Sequence, residues 1–150
     1  MEKRVGWREW VALPDLGIPA LKAKIDTGAK TSALHSFELE TFEKEGNEYV
    51  RFLVHPIRRK KSIVLQCVAR VSGRKVVRDS GGHSEERFVI HSTVILDQMS
   101  FTAEFTLTNR DDMLFPMLLG RRAMQDNSMV VDVNESYLHG RLKPRKHYSY

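Results

Sequence analysis

Alternating apolar and polar residues, interrupted by short turn signals, most limit the folds open to this chain of 150 residues. A period of two places apolar side chains on one face of an extended strand. The predicted strands are residues 5–13, 21–27, 37–42, 49–54, 62–71, 75–78, 88–96, 101–108 and 129–133. Short strands at this spacing are typical of an all-β barrel or sandwich.

Turn signals between these strands predict three hairpins. They are Glu-Gly-Asn at 45–47, Ser-Gly-Arg at 72–74 and Asp-Gln-Met-Ser at 97–100. Helical patterns are confined to residues 110–113 and 121–125. Because no linker, low-complexity tract or internal repeat is visible, we expect one domain over residues 1–150, with a poorly packed basic and aromatic tail at 143–150.

Composition favours a globular cytoplasmic chain, with 41% hydrophobic and 29% charged residues. No apolar stretch approaches the roughly 20 residues of a membrane span. The first ten residues, MEKRVGWREW, carry charge without an apolar core, which predicts that no secretory signal is present. The single cysteine, Cys67, excludes an internal disulfide framework, and its apolar surroundings predict a small buried side chain.

The charged residues are unevenly distributed along the chain. The formal net charge is +5, a modest surplus that suits attraction to nucleic acid or to acidic substrates. Five glutamates fall between residues 38 and 48, and four consecutive basic residues occupy 58–61. We expect this basic run to be a solvated loop or, alternatively, a patch that binds anions.

An aspartate lies at the end of the predicted strand 21–27, in the sequence Asp26-Thr27-Gly28. A tight loop can present such a carboxylate, because glycine permits unusual backbone geometry and the threonine hydroxyl can bond neighbouring main chain. An isolated tripeptide of this kind is also compatible with an ordinary turn that closes a strand.

A second segment, MLFPMLLGRRAM at 113–124, forms a paired motif with the Asp26-Thr27-Gly28 segment. The order IDTGA at 25–29 and LLGR at 118–121 resembles the paired signature of the retropepsin-like aspartic proteases. Glycine lets the second strand cross beneath the catalytic loop without a side-chain clash. The resemblance implies an all-β fold, a single closed β-barrel of the retropepsin or acid-protease type with one or two short helices.

The resemblance can be narrowed to one family. KIDTGAKTSALHS, EERFVI and LTNRDDMLFPMLLGRRAM resemble bacterial and archaeal single-domain retropepsin homologues, over about residues 11–138. Members are often catalogued as ATP-dependent zinc proteases, and some accompany ATP-grasp glutamate ligases. The residues fit neither cofactor, since there is no GKS or GKT loop, no HExxH, and no shared ligand spacing among the six histidines. We therefore expect no metal and no cofactor.

The resemblance implies an aspartic endopeptidase that acts as a homodimer. Such enzymes use two carboxylates that share one proton, and this chain supplies one, Asp26. A symmetric dimer would bring two copies of Asp26 together. Thr27 would bond across the two-fold axis, while Gly28 and Ala29 would face the substrate backbone. The supporting strand and helix start are Leu119, Gly120 and Arg121.

Two further features concern the substrate. Residues 78–87, RDSGGHSEER, are the candidate for a mobile flap, with Gly81 and Gly82 at its tip. Viral retropepsins usually carry acidic residues after DTGA that pair with the arginine after LLG. This chain has Lys30 and Thr31 there, so Arg121 needs another partner. A lysine at the cleft wall predicts a preference for acidic peptides, such as glutamate tails added by the ligase.

Three alternatives stay open. The same barrel can serve as a peptide-binding or regulatory module without proteolysis, because fold does not settle function. A basic barrel that binds nucleic acid would interleave aromatic and cationic residues, a pattern hinted at only at 49–52. Metal-dependent hydrolysis depends on the catalogue name alone. The favoured interpretation therefore expects a peptide substrate, a second copy and a functional link to the ligase, without nucleic-acid or membrane partners.

Overall fold

Strands dominate residues 3–78, 81–110 and 112–149, the part of the chain that this computed structural model describes. The helices are α1, Arg121–Asp126, and two 3-10 turns at Pro14–Leu16 and Pro144–Lys146. The strands are β1 Lys3–Gly6, β2 Arg8–Leu13, β3 Ile18–Asp26, β4 Ser32–His35, β5 Phe37–Lys44, β6 Asn47–Val54, β7 Leu65–Arg70, β8 Gly73–Arg78, β9 Ser84–Leu96, β10 Met99–Thr108, β11 Met117–Gly120 and β12 Met129–Asp132. The all-β prediction is confirmed.

Six strands close into a barrel. Their order is β10-β4-β11-β3-β2-β9, and β9 pairs again with β10 to complete the ring. The predicted single closed barrel is confirmed. Strand β8 extends the sheet beyond β9, strands β5, β6 and β7 form a separate antiparallel sheet, and β1 pairs with β12 as a parallel two-stranded ribbon.

Alternation along the strands fills one continuous core. Leu34, Phe105 and Leu119 of the barrel and Phe52 of the β5–β6–β7 sheet are fully buried in the same cluster. Burying one such side chain stabilises the fold by about 1.5–3 kcal/mol. Cys67 belongs to this core, and burial raises the pKa of its thiol to about 12, which confirms the predicted buried cysteine.

Two of the three predicted hairpins are confirmed and one is wrong. Strands β5 and β6 pair through the turn at 45–46, and β9 and β10 pair through the turn at 97–98, as predicted. The hairpin expected at 72–74 is wrong, because β7 pairs with β6 and β8 pairs with β9. The amide of Val71 donates to the Glu48 carbonyl, and the next amide, of Ser72, donates to the Val89 carbonyl. The chain therefore changes sheets at this point.

Other differences lie at strand and helix boundaries. The strand expected over 5–13 is divided at Trp7, whose amide donates to the Glu135 carbonyl, into β1 and β2. Strand β4 was not predicted, because all four of its residues are buried and no alternation marks it. Of the helix expected over 110–113, residue 111 lies outside the described part of the chain; Asp112 lies in a turn, and the amide of Met113 donates to the Arg110 carbonyl. The helix expected over 121–125 is confirmed as α1.

The C-terminal segment packs against the barrel. Tyr148 is buried in a second cluster with Trp10, Ala20 and Ile63. The Tyr148 hydroxyl donates to the Ala20 carbonyl and accepts from the Ala20 amide, at 3.2 Å in the second case. Against the expectation of a poorly packed tail, this side chain joins the C-terminal segment to β3, the strand that ends in Asp26.

The buried Glu9 carboxylate joins the N-terminal strand to the segment that follows β12. Glu9 has no exposed surface, and it accepts hydrogen bonds from the amides of Gly6 at 2.7 Å, Leu138 at 3.1 Å and His139 at 3.2 Å. These amide donors satisfy a charge that would otherwise be costly to bury. The N-terminal strand and the segment after β12 are therefore held by one side chain.

The His139 ring extends this contact. Its Nε2 lies 2.8 Å from the Arg4 carbonyl, and its Nδ1 lies 3.1 Å from an Asp97 carboxylate oxygen. Both ring nitrogens face acceptors, so the protonated ring can donate from both. Burial disfavours that charge, but the bonds to Arg4 and Asp97 and the charge of Glu9 outweigh it, and the pKa of His139 is raised above its ordinary value.

We expect stability to fall as His139 loses its proton. A raised folded-state pKa gives stabilisation that is complete below the ordinary histidine pKa of about 6.5 and is lost as the pH rises through the higher folded-state value. Urea midpoints measured from about pH 6 to about pH 8 should therefore decline in the wild type, and His139→Gln should flatten that decline. The exposed-site variant His147→Gln should retain it; an unchanged decline in His139→Gln would contradict the assignment.

Candidate active site

Asp26 is held at the end of β3 by the turn that follows it. Its carboxylate oxygen Oδ1 accepts a hydrogen bond from the Gly28 amide at 3.0 Å. The Ala29 amide donates to the Asp26 carbonyl at 3.3 Å, which closes the turn. Asp26 is half-buried, whereas Thr27 and Gly28 are exposed. The loop therefore presents an oriented carboxylate at an open surface.

Gly120 lies directly beside this loop. Strand β11 runs parallel to β3 with Gly120 in register with Asp26, and the Gly120 amide donates to the Ser32 hydroxyl at 3.0 Å. A Cβ atom at position 120 would lie 2.5 Å from the carbonyl carbon of Thr31. Real Cβ atoms do not approach backbone this closely, so only glycine fits.

The residues on either side of Gly120 support the loop in different ways. Leu119 is fully buried and in register with Ile25. The Arg121 amide donates to the Ala29 carbonyl at 2.7 Å, and its guanidinium donates to the Thr27 carbonyl at 3.0 Å. Arg121 binds the loop backbone in place of a carboxylate.

Asp26 opens into a cleft of about 810 Å³. One wall is the loop itself, with Gly28, Ala29, Lys30 and Thr31, and the floor includes Ala33, Thr106 and Leu118. The facing residues come from the β8–β9 hairpin and from the segment after β10; they are Val77, Arg78, His83, Ser84, Glu85, Arg87, Arg110 and Asp112. Thr27 is not among the lining residues.

The candidate flap is the tip of the β8–β9 hairpin. Arg78 pairs with Ser84 at its last described rung, and Gly81 and Gly82 lie in the turn beyond it. Gly82 has φ of +83°, which favours glycine. Neither glycine lines the cleft, and residues 79 and 80 of the predicted segment lie outside the described part of the chain.

Among the described residues that line the cleft, four side chains are cationic, Lys30, Arg78, Arg87 and Arg110, and three are carboxylates, Asp26, Glu85 and Asp112. Arg87 pairs with Glu85 at 3.2 Å, and Arg110 pairs with Asp112 at 3.0 Å, where its hydrogen bonds lower the pKa of the Asp112 carboxyl. Lys30 and Arg78 form no ion pair with any described residue. Arg78 and Arg87 belong to the segment 78–87 predicted to cover the cleft, whereas sequence patterns did not identify Arg110, which the fold brings to the loop from a distant segment.

Within residues 3–78, 81–110 and 112–149, no three His, Cys, Asp or Glu side chains are grouped so that they could hold a metal ion. The helices in the same ranges include none that is long and apolar enough to cross a membrane.

Comparisons with known proteins agree with this geometry. The family model described as "Retropepsin-like aspartic endopeptidase RimB" matches residues 4–142. A Legionella pneumophila protein of unknown function, Lpg0085, has a crystal structure similar to this chain. It aligns with a TM-score of 0.78 and 29% identity, over 93% of this chain and 99% of that one.

Two curated relatives carry a different name. Each is called a probable alpha-L-glutamate ligase, one from Shewanella pealeana with 44% identity over 91% of this chain, and one from Desulfotalea psychrophila with 44% identity over 86%. The matched region is 30% of the first protein and 28% of the second. The chain therefore spans less than a third of the length of these relatives.

The contact beneath the loop predicts that Gly120→Ala is strongly destabilising. The added methyl group would overlap the Thr31 backbone, and overpacking of this kind costs about 1–3 kcal/mol or more. Chemical denaturation would measure the loss. Gly73→Ala is the matched control, since a Cβ there meets nothing within 4 Å. Equal stability of the two variants would show that β11 does not approach the loop as described.

Proposed function

The chain belongs to the RimB-like family of retropepsin-like aspartic endopeptidases, and we propose that it hydrolyses peptide bonds as a homodimer with one catalytic Asp26 in each copy. The observation that carries this proposal is the position of the Asp26 carboxylate. It is oriented by the Gly28 amide, lies in register with Gly120, and opens into the cleft. A carboxylate placed in this way can exchange protons with a bound water.

The proposed chemistry needs two copies. One Asp26 carboxylate, ionised, takes a proton from water, while the other, protonated, polarises the scissile carbonyl. The water oxygen bonds to the carbonyl carbon, the C–N bond breaks, and a proton passes to the departing amine. Two-fold symmetry supplies both carboxylates from one gene product. In this proposal the exposed Thr27 hydroxyls bond across the axis, and Arg121 holds the Thr27 carbonyl.

The remaining predicted site residues have proposed roles around the substrate. Gly28 and Ala29 line the cleft beside Asp26, where their backbone can pair with a peptide. The hairpin tip with Gly81 and Gly82 would close over the bound chain. Closure would exclude bulk water, which strengthens electrostatic interactions during the reaction.

We propose that the preferred substrates are acidic. Lys30 and Arg78 line the cleft without an ion-pair partner among the described residues, and they leave its charge positive. At about 4 Å and a surface-like dielectric, one such pair is worth about 4 kcal/mol before desolvation is subtracted. An acidic peptide therefore gains more from this cleft than a neutral one.

A link to glutamate chemistry follows from the relatives. Proteins named probable alpha-L-glutamate ligase contain a region that matches this chain. We propose that this chain shortens polymers of the kind that such a ligase extends, as a glutamate-tail peptidase in the cytoplasm. The ligase would then be a functional partner, and glutamate-rich peptides the substrate.

A second candidate function is a non-catalytic peptide-binding or regulatory module. One copy supplies a single aspartate in the DTG loop, so a monomer has no second loop carboxylate with which to share a proton. A protein that stays monomeric at working concentration would bind acidic peptides in the cleft without cleaving them. Sedimentation velocity with and without peptide separates the two candidates.

Asp26→Asn should abolish peptide hydrolysis. The amide cannot take a proton from water, and removing a central catalytic group lowers kcat by about 10⁴-fold or more. Cleavage of an acidic peptide library, followed by mass spectrometry, would measure the loss. Asp126→Asn, the same change at an exposed position outside the cleft, should retain activity. Equal turnover by the Asp26 variant would reject the aspartic-peptidase mechanism.

Oligoglutamate should be cleaved faster than an oligoglutamine of the same length. Lys30→Gln should reduce that advantage by about tenfold in kcat/KM, the effect of losing one partly screened charge interaction. Lys61→Gln, an exposed lysine outside the cleft, should leave the ratio unchanged. If the two peptides are cleaved at equal rates by the wild type, the acidic preference is wrong.

A further inference from the structure

We propose that the cleft continues onto the outer face of the barrel as a basic track of Lys24, Arg8, Lys22 and Arg141, which binds the part of an acidic polypeptide that extends beyond the cleft. The proposal deepens the proposed function and rests on it for the identity of the chain in the cleft. The track itself is a binding surface, and binding can be measured without catalysis.

The strand register connects the track to the cleft. Ala33 of β4 is in register with Leu118 of β11, Leu118 with Lys24 of β3, and Lys24 with Arg8 of β2. Residues in register on neighbouring strands project from the same face of a sheet. Ala33 and Leu118 line the cleft, so Lys24 and Arg8 continue the same row. Lys24 also precedes Asp26 by two residues, which places both on one face.

The length of this row sets the length of chain that it can bind. Neighbouring strands lie about 4.8 Å apart, so the two steps from Leu118 to Arg8 cover about 10 Å. An extended polypeptide advances about 3.3 Å per residue. About three residues beyond the cleft are therefore enough to reach Arg8, and a shorter peptide cannot use the track.

Aromatic rings orient the cations of the track. The Arg8 guanidinium lies between Trp7, at 4.6 Å from the ring centroid, and Tyr137, at 4.8 Å. The Arg141 guanidinium lies 4.5 Å from the Tyr137 centroid. Stacked guanidinium groups are held in position while their N–H edges stay available for a carboxylate.

The lysine nearest these rings is arranged in the same way. Lys22, in register with Trp10, has its ammonium 5.5 Å from the Trp10 centroid and 5.9 Å from the Tyr137 centroid. Rings orient a cation but leave its full charge uncompensated. The cations of the track are therefore preorganised without being neutralised.

No carboxylate within the described residues forms an ion pair with Arg8, Lys22, Lys24 or Arg141. Lys22, Lys24 and Arg141 are exposed. The Arg8 Nε is buried and has no hydrogen-bond partner within the described part of the chain. The surface is thus suited to anionic groups spaced along an extended chain.

An acidic polypeptide fits this surface better than a nucleic acid. Proteins that bind single-stranded nucleic acid stack bases on open aromatic faces. Here Arg8 and Arg141 lie over the Tyr137 ring, and Arg8 lies over Trp7, whose other ring contact is edge-on with Phe115. The rings of the track are already covered by cations. Continuity with the cleft also favours the polymer that the cleft would hold.

Fluorescence anisotropy with labelled oligoglutamates tests the track. The Asp26→Asn background keeps each peptide intact, and peptides of about three and about ten residues separate the cleft from the track. Lys22→Gln/Lys24→Gln should weaken binding of the long peptide by about tenfold, the loss expected for two exposed charge contacts, and leave the short one unchanged. The charge-matched control, Lys44→Gln/Lys61→Gln, should change neither by more than about twofold.

Three results would decide the matter. Equal loss of long and short peptides, or no loss, would overturn the track. Tighter binding of a single-stranded RNA of similar length, lost in the same variant, would also overturn it in favour of nucleic acid. If the wild type cleaves no peptide while long-peptide binding still depends on Lys22 and Lys24, the peptidase proposal fails and the track stands.

Discussion

The approach of the β11 backbone to the backbone of the Asp26 loop is the constraint on which the site depends. It requires glycine at position 120, because any side chain would occupy the place of Thr31. That contact sets the height of the loop above the barrel, and with it the direction of the Asp26 carboxylate. The hydrogen bonds from Arg121 then fasten the same loop from the helix side. Sterics and hydrogen bonding therefore position the carboxylate together.

The rest of the fold keeps the two parts of this contact aligned. Closing six strands into a ring fixes β3 and β11 relative to each other, since each is paired on both sides. Glu9 and Tyr148 fasten the chain ends to β1 and β3. These buried polar contacts lie away from the cleft, so they can stabilise the barrel without restricting the loop. The contacts that fasten the chain ends and the loop that presents Asp26 therefore lie in different parts of the molecule.

Local sequence patterns predicted much of the fold. The features that they missed depend on contacts between distant parts of the chain. Alternation located most strands, and the motifs around Asp26 and Gly120 located the loop and the strand beneath it. The hairpin expected at 72–74 was wrong because partner choice depends on distant strands. Strand β4 lacks alternation since both of its faces are covered. The position of Arg110 in the cleft and the bond from Arg121 to the Thr27 carbonyl come from tertiary packing, which no local pattern of residues records.

Strand β9 belongs to two structures at once. Its C-terminal part is built into the barrel wall beside β10 and β2, whereas its N-terminal part forms the hairpin with β8 that faces the cleft. One continuous element thus has an anchored end and a projecting end. Substitutions near the projecting end can alter the lining of the cleft while the hydrophobic core of the barrel is untouched. The sequence of this hairpin can therefore vary with little effect on the stability of the barrel.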